Sequence, residues 1–93
     1  MNPRIFYLPV FVKQIQKLRG KEAEKTEQTL LDFDRFINGG QKSAGLGFKK
    51  IGEDKFEIRV DLQKRIVMKK IGSDYYMAVY GDHSEVDRFL KRQ

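Results

Sequence analysis

The chain changes its hydrophobic period once, near its middle, and that change constrains the fold more than any other feature. Before Asn38-Gly39-Gly40 the apolar residues recur at helical spacing. Phe11, Ile15 and Leu18 form one stripe, with Lys13, Lys17 and Arg19 outside it. Ala23, Leu30, Phe33 and Ile37 form a second, with Glu22, Glu24, Lys25 and Glu27 on the opposite face. Pro9 suits a first helical turn, Gly20 a stop between the helices, and Lys21 the start of the second. After the glycines the period becomes two: Phe56, Ile58 and Val60 alternate with Glu57 and Arg59.

Further strands are expected at residues 4–8, from Leu46 through Phe48 to Ile51, at residues 65–70 and at residues 75–80, with a hairpin turn at Ile71-Gly72-Ser73-Asp74. Residues 84–92 read as a terminal helix with Val86, Phe89 and Leu90 inward and Ser84 at or just inside its cap. Each element has one apolar face, and the faces need a common cover. The expected fold is α+β: an N-terminal strand and a helical hairpin packed on a curved, mainly antiparallel sheet of four to five strands, closed by a short C-terminal helix. At 93 residues the chain has room for one core, so residues 1–93 are read as a single domain.

Composition removes several classes of function. There is no Cys, which excludes disulfide frameworks and thiol catalysis, and one His excludes a multi-histidine metal site. No apolar run reaches the ~18 residues of a membrane helix, and the opening residues lack a secretory pattern. The expected setting is the cytoplasm, without a membrane partner. Gly45-Leu46-Gly47 precedes a strand instead of following one, so it is no dinucleotide fingerprint. Gly40-Gln41-Lys42-Ser43 lacks the glycine that directly precedes the lysine of a phosphate loop. Asp32 and Asp34, two apart on a helix, point to different sides. Neither cofactor nor metal is expected.

Charge supplies the positive signal. The chain carries 19 Lys and Arg against 13 Asp and Glu, and residues 42–70 hold nine of the bases with four of the acids. An anionic partner follows, with nucleic acid the leading class. If Phe56, Ile58 and Val60 are buried, Arg59 and Glu57 turn to the other face. The next strand can turn Arg65 and Lys69 the same way, and one of Lys49 and Lys50 must join them. Arginine's planar fork suits phosphate. His83, between Asp82 and Glu85, is the one side chain whose reference pKa lies in the physiological window. RNA needs no protein nucleophile, since its own 2′-hydroxyl attacks the adjacent phosphate. A cationic face, a base and an acid suffice. Glu57 is a conceivable base or a partner for a neighbouring cation.

The order of strand, helical hairpin, Gly45-Leu46-Gly47-Phe48-Lys49-Lys50-Ile51, Phe56-Glu57-Ile58-Arg59-Val60, Arg65-Ile66-Val67 and Asp82-His83-Ser84-Glu85-Val86 resembles the RelE/ParE superfamily of toxins from type II toxin–antitoxin systems. The resemblance covers the layout of the whole chain and the motifs of residues 45–90, and it is nearest the branch that keeps a histidine in its closing motif. It implies an mRNA-cleaving endoribonuclease that inhibits translation, acting on the ribosome or on free RNA, with a cognate antitoxin that offers an acidic or helical segment. The ParE branch implies DNA gyrase inhibition instead, and a non-catalytic RNA- or protein-binding module is a third reading. Carried onto this chain, Arg59, Arg65 and His83 are the catalytic set, and Lys49, Lys50, Lys64 and Lys69 contact nucleic acid. Two departures stand out: Lys64 replaces the aromatic before the second arginine, and Asp87 replaces the terminal-helix tyrosine of the nucleases. Tyr75, Tyr76 and Tyr80 are the substitutes available for base stacking, although adjacent Tyr75 and Tyr76 must face opposite ways, which leaves one of them for the core.

Overall fold

In a computed structural model that describes residues 2–92, the chain runs β1 (Ile5–Tyr7), α1 (Pro9–Gln16), α2 (Gly20–Ile37), β2 (Lys49–Lys50), β3 (Lys55–Arg59), β4 (Arg65–Ile71), β5 (Asp74–Gly81) and α3 (His83–Lys91). The strands form one sheet in the order β1-β5-β4-β3-β2. β1 runs parallel to β5, and every other neighbour is antiparallel. The expected α+β architecture is the observed one.

The two sheet faces carry different covers. Ile58, Ile66, Met68, Tyr75, Met77 and Tyr80 face the helical hairpin and bury Phe11 and Phe33. Phe33 and Phe48 sit among Phe56 and Tyr75 with ring centroids 5.1–6.3 Å apart, an aromatic cluster that pins α2 to the sheet. On the other face α3 places Val86 against Val67 and Val79, flanked by Ile51, Phe89 and Leu90. β5 serves both faces through a bulge: Val67 pairs with Val79 but Met68 pairs with Met77, so Ala78 is the extra residue. The Tyr80 amide beside the bulge donates to Gln14 Oε1 of α1 (2.8 Å), which ties the irregular strand to the hairpin.

Local structure departs from expectation at three points. The stop between the helices falls at Gln16, and Gly20 opens α2 instead of closing α1. Arg19 explains the early stop, because its guanidinium donates to the Gln16 and Leu18 carbonyls at 2.8 Å each. Glu22, expected outside, accepts the Tyr80 hydroxyl at 2.5 Å. Leu46 and Phe48 do not begin a strand. Leu46 is buried in a loop where Gly45 and Gly47 have φ of +83° and +61°, outside the extended range of a regular strand, and the ladder with β3 is confined to Lys49 and Lys50. Among the described residues no helix is long and apolar enough to cross a membrane.

Candidate nucleic-acid interface

The sheet register brings Arg59 opposite Arg65, and Arg65 opposite Gly81. All three lie at the end of the sheet where β5 passes into α3. Gly81 is required there, because a Cβ at that position would stand 2.7 Å from the Glu85 Cβ. Its absence lets the first turn of α3 close onto the strand. Asp82 then caps the helix: its carboxylate accepts the Glu85 amide (2.9 Å), and Glu85 Oε1 accepts the Asp82 amide (3.0 Å). These bonds fix the direction in which His83, the exposed first residue of α3, leaves the helix. The Glu85 amide above all, helped by Lys64 and Arg88, holds the Asp82 carboxyl below the usual range.

Arg65 is held from beneath. Its Nη1 lies 2.6 Å from Glu57 Oε2, with side-chain exposures of 16% for Arg65 and 7% for Glu57. Lys49 approaches the same oxygen at 3.7 Å from the edge strand. Glu57 thus acts as an anchor for two cations. Its other expected role, a base facing substrate, finds no support in this geometry. Arg65, held in this way, lines a cleft of about 390 Å³ with Gln63, Lys64, Asp82 and His83. Lys64 reaches this cleft from a tight turn in which Asp61 Oδ1 accepts the Gln63 and Lys64 amides, 2.8 Å each. Partial burial opposes ionisation of Asp61, but those two bonds and the charges of Lys25 and Lys64 outweigh it and keep its pKa below the ordinary value.

The other expected residues divide. Arg59 shares the register of Arg65, yet its side chain does not enter the cleft with His83. It runs over Gly47, where an added Cβ would lie 3.3 Å from the Arg59 Cβ, and lines a separate hollow against α2. Lys50 pairs with Phe56, which puts it on the opposite side from Lys49. Lys69 stands farther along β4, between Lys55 and Tyr76, away from His83. The structure therefore joins Arg65, Lys64 and His83 in one cleft, links Lys49 to it through Glu57, and leaves Arg59, Lys50 and Lys69 outside.

Of the three tyrosines, Tyr75 and Tyr80 are buried toward the hairpin and cannot stack on a base. Burial first, and then the Glu22 carboxylate, raise the Tyr80 hydroxyl pKa above its ordinary value. Tyr76 is the half-buried partner of Phe6, stacked at 5.0 Å. Sequence reasoning missed Gln63 in the cleft. The signal available was Asp61, a turn-former two residues upstream of it.

No protein-family model matches the chain, and comparison with curated proteins returned no match. Solved structures do match. The E. coli DinJ-YafQ toxin–antitoxin complex contains a chain 15% identical, with a TM-score of 0.71 over 92% of this chain and 98% of that one. In the RelB-RelE antitoxin–toxin complex from Methanococcus jannaschii the values are 16%, 0.65, 91% and 98%. In the YoeB dimer from Staphylococcus aureus they are 17%, 0.63, 89% and 99%. The fold expected from the motif order is thus the one that YafQ, RelE and YoeB share.

Proposed function

We propose that this chain is the toxin of a toxin–antitoxin pair and an endoribonuclease that cleaves messenger RNA, with Arg65 and His83 as its principal catalytic groups. The observation that carries this reading is their convergence, with Lys64, on one open cleft at the end of the sheet. In the step we assign to it, the ribose 2′-oxygen bonds to phosphorus and the bond to the 5′-oxygen breaks. A 2′,3′-cyclic phosphate and a 5′-hydroxyl result. His83 takes the 2′-hydroxyl proton, and solvent entering the open cleft protonates the departing oxygen. Arg65 and Lys64 stabilise the charge that builds on the phosphoryl oxygens. Arg65 suits this because Glu57 fixes its plane before substrate arrives, so little reorganisation is needed on binding. Asp87 does not line this cleft, so the proton work is assigned to His83.

The partner in this reading is an antitoxin whose acidic segment covers the cationic end of the sheet and neutralises it. The test is induced expression and assay of the purified protein, on free RNA and on translating ribosomes, with transcript ends mapped. Arg65→Ala should lower cleavage by roughly 10²–10³-fold and His83→Ala by roughly 10²–10⁴-fold. Melting is unchanged in His83→Ala and lowered in Arg65→Ala, which takes the closest partner from the buried Glu57 carboxylate, so that variant is assayed well below its own melting temperature. Wild-type cleavage in both variants would overturn the assignment. Intact transcripts accompanied by DNA-damage signalling would replace it with gyrase inhibition.

A further inference from the structure

Two hollows flank the Arg59–Arg65 pair. Arg65 serves the cleft with His83, while Arg59 turns into the other, a hollow of about 220 Å³ between α2 and the loop carrying Ser43 and Gly45. From α2 the second hollow receives Lys25, Gln28 and Asp32. Lys25 stands close enough to Asp61 for its charge to help keep that carboxyl ionised. Two cations from separate elements therefore face one space; beside them sit the Gln28 amide and the Asp32 carboxylate, whose charge is met by Arg35 at 3.6 Å. Gln28 donates one amide hydrogen to Asp32 Oδ1 at 2.9 Å, which fixes the plane of its amide at the rim. The residue that opens the hollow is Gly47, because any side chain there would push against the Arg59 Cβ and deflect the guanidinium.

We infer that this hollow is a second RNA subsite, which takes the nucleotide next to the scissile linkage: Lys25 and Arg59 hold its phosphate and Gln28 meets the edge of its base. The inference rests on the RNA-cleavage reading and extends it around the end of the sheet. The geometry gives three supports. Arg59 and Arg65 are direct register partners, so the cations of the two hollows start from adjacent backbone positions. The short turn between β3 and β4 separates the hollows, with Val60 lining one and Lys64 the other, so a single strand crossing it can occupy both. Finally, a cationic floor beside a fixed amide matches a phosphate with a base attached better than it matches a bare anion, which would leave the amide unused.

The experiment uses 2′-O-methyl oligonucleotides, which cannot be cleaved, in fluorescence anisotropy with the full chain. Wild type should bind a tetranucleotide at least about fivefold more tightly than a dinucleotide. Lys25→Ala should remove most of that gain, leave dinucleotide binding unchanged, and reduce the slope of log K against log salt by about 0.7, the value of one single-strand phosphate contact. Gln28→Ala should narrow the difference among tetranucleotides that vary in one base. Binding of both lengths with no effect of Lys25→Ala, or an equal loss on both, overturns the second subsite and leaves the nuclease reading standing. Binding of neither length also overturns the second subsite, and the nuclease reading is then decided by the cleavage assay on translating ribosomes. Lys25 is exposed, so an unchanged thermal melt is expected of its variant and separates a subsite effect from misfolding.

Discussion

Replacing Glu57 with glutamine tests whether the cleft arginine is held by a buried charge pair. The carboxylate is almost fully enclosed and meets Arg65 at 2.6 Å, while Arg65 keeps only a sixth of its side chain in solvent. Removing one partner of a fully buried pair costs about 3–5 kcal/mol, because the other charge is left without compensation. Two features lower that figure here. Glutamine retains an oxygen that accepts from Arg65, and the cleft admits water to the outer guanidinium edge. What is lost is the charge-assisted part of the bond, about 2 kcal/mol. The Lys49 contact adds little, since that lysine is mostly exposed. For a domain of this size such a loss lowers the melting temperature by roughly 8–16 °C. Urea unfolding followed by circular dichroism measures it, and a cycle with Arg65→Ala isolates the pair, with an expected coupling of about 1–2 kcal/mol. If the two substitutions add to within about 0.5 kcal/mol, Glu57 does not hold Arg65 and the preorganised guanidinium is lost from the mechanism.

Three further outcomes follow from burial and titration. Phe33→Ala removes a fully buried ring from the aromatic cluster between α2 and the sheet and should cost about 3–5 kcal/mol, read from the urea midpoint. Alkaline unfolding should begin near pH 10: burial foremost raises the folded pKa of Tyr80, Tyr75 and Tyr7, so the unfolded chain releases protons first and stability falls as pH rises. Tyr80→Phe should make that limb shallower in a pH series of thermal melts. At the acid end, the Lys55 side chain lowers Asp54 and the Glu85 amide lowers Asp82, while backbone amides and lysines overcome the burial of Asp61. The stability these groups contribute is present above the unfolded carboxylate value near 3.9 and is lost as pH falls through their lower folded values. Asp82→Asn should flatten that limb in the same series.

Much of the fold was legible because periodicity reports burial directly. The change from helical spacing to alternation after Gly40 placed both long elements and the central strands. It also put Glu57, Arg59 and Arg65 on one side of the sheet, since successive strand residues must face opposite ways. The start of the last helix was read at Ser84, whereas Asp82 is the cap and its capping box with Glu85 starts α3 at His83. The stripe on α2 was read too narrowly. Glu22 lies at the flank of a helix, where periodicity is silent, and it turns inward because the buried Tyr80 hydroxyl needs an acceptor.

By itself the sequence determined the α+β class, the concentration of positive charge in residues 42–70, and the sheet face to which each of these arginines belongs. These properties follow from local spacing and composition, which survive whatever the rest of the chain does. Only the tertiary structure decided that Arg65 and His83 share a cleft while Arg59 leaves it, that Glu57 is an anchor, and that Lys25 from a distant helix completes a second hollow. Register fixes where a Cβ points, but a long side chain settles where there is room and an opposing charge. At Gly47 and Glu57 both were supplied by residues that the one-dimensional pattern does not connect.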